Sequence, residues 1–220
     1  MIFSDLSFSF YKKNVKSSRL EAFSDGVLAI LITIMVLEMK VPKGASLYDL
    51  DEVYTVFLSY ILSFLYLGIY WNNHHHLFQA TKYVYGKVLW ANLHLLFWLS
   101  LIPFTSGWIG RTDFSAVPNA LYGVVLLMSA IAYFILQYLI LQTHGENSVL
   151  HKAIGKDYKG KISLILYAAA IPLAFVSQWF SISIYFVVAL MWIVPDKRIE
   201  KTLYKEIKEH QEEDKTEHLN

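Results

Sequence analysis

Asp25 carries the most demanding chemistry in this sequence. It sits at the start of an apolar run, in Phe23-Ser24-Asp25, and only the twelve uncharged residues Gly26 to Leu37 separate it from Glu38. At the helical rise that run is about 18 Å long, whereas bilayer hydrocarbon is about 30 Å thick. The two carboxylates therefore lie near or inside a membrane, where ionisable groups face protein or water rather than lipid. A carboxylate held there needs cationic or hydrogen-bonding partners.

The candidates are Arg19, six residues earlier, and the histidines of Trp71-Asn72-Asn73-His74-His75-His76. Three consecutive histidines on a helix point about 100° apart. They cannot grip one ion as a pair at three- or four-residue spacing does. Cysteine is absent, which removes thiol catalysis, disulfides and thiolate ligands. No metal site, cofactor or enzymatic activity is expected. The histidines read instead as partners for Asp25 in a network with Arg19, to which one or two of the three contribute.

A second constellation lies on the same stretch. On a helical wheel Phe23, Gly26, Ile30, Thr33, Ile34, Leu37 and Val41 share one face, while Glu21, Asp25, Leu28, Ile32 and Val36 fall roughly opposite. An aliphatic stripe with one hydroxyl is compatible with helix packing. Packing is the plainer reading of three residues at helical spacing; the functional one is several copies meeting around an axis, where Ile30 and Leu37 would form apolar rings that gate by dewetting, with Thr33 between them.

These residues need elements to hold them. The 220-residue chain is 55% hydrophobic and only 17% charged, well below the quarter usual in soluble domains. It reads as an all-α, multi-pass membrane protein. The expected spans are Arg19 to Val41, about Leu50 to Trp71 and onward into the histidines, Val88 to Trp108 with a kink at Pro103, Ala120 to Leu141, Ile162 to Val176 and Ile182 to Val194. Ser46 and Asp49 form a capping box expected to open the second helix. The last two spans, joined through Ser177-Gln178-Trp179-Phe180-Ser181, should form an antiparallel hairpin.

Cations decide the orientation. Lys12, Lys13, Lys16, Lys82, Lys87, Lys152, Lys156, Lys159, Lys161, Lys197, Arg198 and Lys201 fall in alternate connections, and the others hold only Lys43 and Arg111. By the positive-inside rule both termini are cytoplasmic. The organisation is then an interfacial arm over residues 1–18, a six-span domain over 19–195 and a charged tail over 196–220. The tail's Ile199, Leu203 and Ile207 recur every four residues on a solvated helix. The opening residues place apolar groups ahead of the cations, the reverse of a secretory signal. A net charge of +1 without a basic, aromatic-interleaved patch offers nothing for nucleic acid.

Arg19-x-x-x-Phe23-Ser24-Asp25 at the head of the first span resembles the signature of the transmembrane protein 175 family, lysosomal potassium channels with prokaryotic relatives. Trp71, His74 and His75 at the end of the second span, and the stretch from Asn92 to Pro103, add to the likeness. The resemblance implies a potassium channel lined by first helices and lacking a carbonyl-built TVGYG filter. A chain with one set of six spans implies a prokaryotic-type homotetramer in the cell membrane. It further implies that Ile30, Thr33 and Leu37 occupy constriction positions, with Ile34 beside them, and that Arg19, Phe23, Ser24, Asp25, His74 and His75 form the structural network. The rival expectation is a proton-coupled carrier using Asp25 and a histidine of the second span as its relay.

Overall fold

A computed structural model describes residues 15–79, 81, 83–144 and 157–193. The tail stripe, most of the N-terminal arm, and the cations Lys82, Lys152 and Lys156 lie outside these residues. The described chain is almost wholly helical. Helix α1 (Ser17–Leu37) is followed by a 3₁₀ turn (Leu47–Glu52), α2 (Tyr54–Gln79), α3 (Gly86–Ser100), α4 (Ile102–Arg111), α5 (Ala116–His144), α6 (Tyr158–Val176) and α7 (Gln178–Ile193). Five segments are long and apolar enough to cross a membrane, with α3 and α4 forming one of them; α7 is a shorter apolar helix.

Local chemistry explains where the helices differ from expectation. The Ser46–Asp49 capping box is present, with the Ser46 N–H donating to Asp49 Oδ2 at 2.7 Å, but it opens the 3₁₀ turn and α2 starts afresh at Tyr54. Pro103 cannot donate to the carbonyl of Leu99 and its ring crowds that carbonyl, so the third span is interrupted at Leu101, two residues ahead of the proline where the kink was expected. The loop expected between the last two spans shrinks to Ser177, whose extended backbone alone separates α6 from α7. Helix α1 stops at Leu37, so Val41 leaves the stripe assigned to it.

Two short strands, Val15–Lys16 before α1 and Tyr83–Val84 before α3, pair antiparallel. They tie the start of α1 to the end of α2, so these antiparallel helices meet with Glu21 and Asp25 beside Trp71 and His75. Helix α1 packs on α2, α3 and α4, α5 packs on α3, α4 and α6, and α7 packs on α2, α5 and α6, around one continuous apolar core. The part of it between α2, α5, α6 and α7 is rich in tyrosine. Tyr66, Tyr122 and Tyr185 are fully buried, and each hydroxyl has a partner: Tyr66 donates to Tyr185 O at 2.6 Å, Tyr185 to Asn119 O at 2.9 Å, and Tyr122 lies 3.0 Å from Ser63 Oγ. In lipid, where apolar helices gain little from leaving one apolar medium for another, such interhelical hydrogen bonds and close contacts carry the specificity.

The tightest backbone approach is between α2 and α4. A Cβ on Gly110 would stand 2.5 Å from Val56 Cα. The closeness lets Thr55 Oγ1 donate to the Gly110 carbonyl at 2.7 Å and Ser106 Oγ to the Ser59 carbonyl at 3.1 Å. At the end of α4 the Phe114 N–H reaches back to the Ile109 carbonyl at 3.0 Å while Asp113 adopts a φ of 48°, which closes the helix in a Schellman-type turn. Replacing Gly110 by alanine should push α2 from α4 and cost about 1–3 kcal/mol, the usual range for overpacking. Thermal unfolding in detergent checks this, and an unchanged midpoint would refute the close approach.

Candidate functional site

Helix α1 has two faces with different fates. Ser17, Leu20, Ser24, Leu28, Leu31 and Met35 are buried at three- and four-residue intervals, as a helix seated on one side requires. The opposite stripe, Phe23, Gly26, Ile30, Thr33, Ile34 and Leu37, is exposed along its length, with Ile30 57% and Leu37 83% accessible. Beyond Phe23 this stripe has no aromatic residue. The exposed faces of α6 and α7 differ, carrying Phe175, Trp179, Phe180 and Phe186. Thr33 Oγ1 donates to the carbonyls of its own helix, at 3.1 Å from Ala29 O and 3.0 Å from Ile30 O. Its hydrogen is thereby committed, and its oxygen lone pairs are available on the exposed side.

The seated face is fixed by a buried chain of hydrogen bonds whose polarity can be read end to end. Ser24 Oγ donates to the Leu20 carbonyl at 2.9 Å. Having spent its hydrogen, Ser24 accepts from Asn92 Nδ2 at 2.9 Å. Asn92 thus turns Oδ1 towards His74 Nε2, 2.8 Å away. His74 must therefore carry its proton on Nε2. Ser24, His74 and Asn92 are all essentially inaccessible, and they come from α1, α2 and α3 respectively.

On either side of this chain lie two partly exposed contacts between α1 and α2. Trp71 Nε1 donates to Asp25 Oδ1 at 3.0 Å. His75 Nδ1 lies 2.7 Å from Glu21 Oε1, and His75 Nε2 lies 2.7 Å from Gln79 Nε2. The Trp71 and His75 rings stack, with centroids 5.9 Å apart and planes 13° from parallel. The expected pairing of Asp25 with a histidine is thus corrected. The antiparallel register sets Asp25 level with Trp71, and one turn nearer the N-terminus it sets Glu21 level with His75. Arg19 is exposed and pairs with no carboxylate among the described residues. Phe23 stands on the exposed stripe, outside the hydrogen-bonded network.

At the far end of α1, Glu38 pairs with Arg111 at the end of α4. Sequence reasoning missed this pair, as it missed Glu21 and Gln79, because none is marked by local spacing. Asn92 bridges three helices, whereas Ser100 Oγ donates within α3, to Phe97 O at 2.7 Å. His94 accepts from Trp98 Nε1 at 2.9 Å, again within its own helix. Among the described residues no three histidine or acidic side chains converge on a point where a metal could bind.

Comparison with known proteins matches this arrangement to a family. The family described as "Endosomal/lysosomal potassium channel TMEM175" matches residues 19–103, which contain α1, α2, α3 and the seam between them. A protein of Chryseobacterium named a potassium channel is 58% identical over 185 residues, covering 84% of this chain and 96% of its own length. A potassium channel of Streptomyces collinus is 30% identical over 188 residues, 80% of this chain and 91% of the relative. Among solved structures, a lysosomal potassium-selective channel TMEM175 homolog from Chamaesiphon minutus superposes with a TM-score of 0.72 at 28% identity, covering 82% of this chain and 97% of that one. The chain belongs to the TMEM175 family.

Proposed function

We propose that this protein is a potassium-permeable channel of the cell membrane, a homotetramer whose α1 helices line one central pore. The observation that carries the reading is the exposed stripe Ile30, Thr33, Ile34 and Leu37, on a helix whose other side is locked by buried hydrogen bonds. The potassium-channel names of relatives that match nearly end to end support it. In such an assembly Ile30 and Leu37 form apolar rings whose dewetting resists ion passage. Thr33 supplies a ring of oxygen lone pairs between them, able to replace part of a cation's water shell. The two ends of α1 are held by Asp25–Trp71 and Glu38–Arg111, so the rings keep their heading. Both termini are assigned to the cytoplasm on the cation asymmetry.

The carrier reading needs Asp25 and a histidine in proton contact. The geometry favours the channel, because the Asp25 partner is an indole that keeps its proton. The experiment is flux from proteoliposomes, followed by bilayer recording with K⁺ on one side and Na⁺ on the other. The wild type should pass an ohmic current with a reversal potential displaced towards K⁺. Asp25→Asn keeps an acceptor for Trp71 and should leave the current within about threefold, less than 1 kcal/mol of barrier. A carrier relay would lose transport altogether in that variant.

Ile30→Ala and Leu37→Ala widen the apolar rings and should raise leak current. Thr33→Ala removes the hydroxyl ring and should move the K⁺ over Na⁺ preference without abolishing conduction. If none of the three alters current, α1 does not line the path.

Asn92→Ala tests the seam. It strands the buried Ser24 and His74 groups at a cost of about 1–3 kcal/mol, so the thermal midpoint should fall and the flux should become heterogeneous between preparations.

A further inference from the structure

On the side of α2 away from α1, a cavity of about 50 Å³ opens between α2, α5, α6 and α7. That is room for a few waters or one compact ligand. Its walls are aromatic, formed by the rings of Tyr66, Tyr70, Tyr133, Phe134, Tyr167 and Trp192. The rings brace one another, Tyr70 meeting Tyr133 edge-on at 6.1 Å and Tyr66 meeting Tyr167 at 6.2 Å.

The polar groups facing this space are of two kinds. The Tyr66 and Tyr133 hydroxyls are committed, to Tyr185 O at 2.6 Å and Asn73 O at 3.2 Å. The Tyr70 hydroxyl and the Gln137 carboxamide also line it, on residues only 9% and 8% accessible; neither is among the fully enclosed polar atoms without a partner, which among the described residues are His74 Nδ1, Asn119 Oδ1 and Ser129 Oγ. Of the described residues lining the cavity, Asp157 alone carries a charge at neutral pH. One of its carboxylate oxygens accepts the Gly160 N–H at 2.9 Å, capping α6.

Aromatic faces around a small space with one carboxylate at its edge are the chemistry that recognises an organic cation. The ring quadrupoles attract positive charge spread over methyl or methylene groups, and the carboxylate supplies the counter-charge. The Trp192 ring already accepts a cation of the protein itself, with Lys159 Nζ 6.0 Å from its centroid. We propose that this cavity is a binding site for a small organic ammonium ion, seated among the tyrosine rings with its charge towards Asp157 and with polar contacts to Tyr70 and Gln137. The site lies within one protomer and does not depend on the proposed pore.

The test uses the full chain in lipid nanodiscs, with tetramethylammonium as the probe and neopentyl alcohol as a neutral compound of similar shape. Binding is read by calorimetry and by saturation-transfer NMR on the probe methyl groups. Tetramethylammonium should bind saturably. Asp157→Asn preserves a residue able to cap α6 and should weaken that binding about tenfold, the effect of losing one charged contact. It should leave the weaker binding of neopentyl alcohol unchanged. Ala130→Phe fills the cavity and should abolish both. Absence of saturable tetramethylammonium binding overturns the proposal. So does binding that both variants leave intact, which would put the cation elsewhere, including a central pore. Equal affinity for the two probes would show an apolar cleft without cation recognition and would also overturn it. Should Ala130→Phe fail to fold, the ratio of the two probes in Asp157→Asn decides alone.

Discussion

The hydrogen-bond chain from Leu20 O through Ser24 and Asn92 to His74 is the constraint on which the arrangement of this protein turns. Apolar contacts alone would not specify how α1 rotates about its own axis, since leucine is nearly as well solvated by lipid as by another helix. A serine, an asparagine and a histidine buried together have one satisfactory arrangement. Rotating α1 by a residue would strand at least two of them. The exposed heading of Ile30, Thr33 and Leu37 is therefore a consequence of polar chemistry on the reverse face.

The same logic operates at the other contacts. Glycine at 110 lets two backbones approach until a threonine and a serine can each reach the other helix's carbonyls. The Tyr66, Tyr122 and Tyr185 hydroxyls do the equivalent for α2, α5 and α7. Each contact is worth on the order of 1 kcal/mol in a membrane, yet each is geometrically selective. Summed along α1 they also explain why Asp25 and Glu38 are tolerated on so short a span. Asp25 is partly buried and Glu38 is exposed, and each meets a donor from a different helix, Trp71 or Arg111.

The parts of this that were legible in the sequence are those set by local periodicity. Hydropathy located every span to within a few residues, and the 3.6-residue period separated the exposed stripe of α1 from its other faces. The family resemblance rested on Arg19, Phe23, Ser24 and Asp25, and the relatives bear that out. What escaped was pairing between distant segments. Glu21 and His75 are 54 residues apart and Glu38 and Arg111 are 73 apart, and no spacing rule connects them. The assignment of a histidine to Asp25 erred by one helical turn: depth alone could place α1 and α2 side by side, but their register depends on side-chain contacts that one sequence does not reveal. The disturbance at Pro103 was legible because proline lacks a donor and crowds the preceding turn, and the third span is interrupted there, at Leu101.

The seam also bears on what α1 can do. His74 donates from Nε2, its Nδ1 has no partner among the described residues, and the ring stacks on Phe78 at 4.5 Å. A second N–H on that ring would face no acceptor, so the seam is built around a neutral imidazole. His75 is different, being partly exposed with a carboxylate at one nitrogen and a carboxamide at the other. Of the two neighbouring histidines, then, one sits in the buried seam and the other pairs with Glu21 of α1 at its partly exposed edge. Neither ring bonds to Asp25, whose Oδ1 accepts from the Trp71 indole. The polar groups on α1 are consequently disposed to position a helix, and the face turned away from them carries no charge between Asp25 and Glu38.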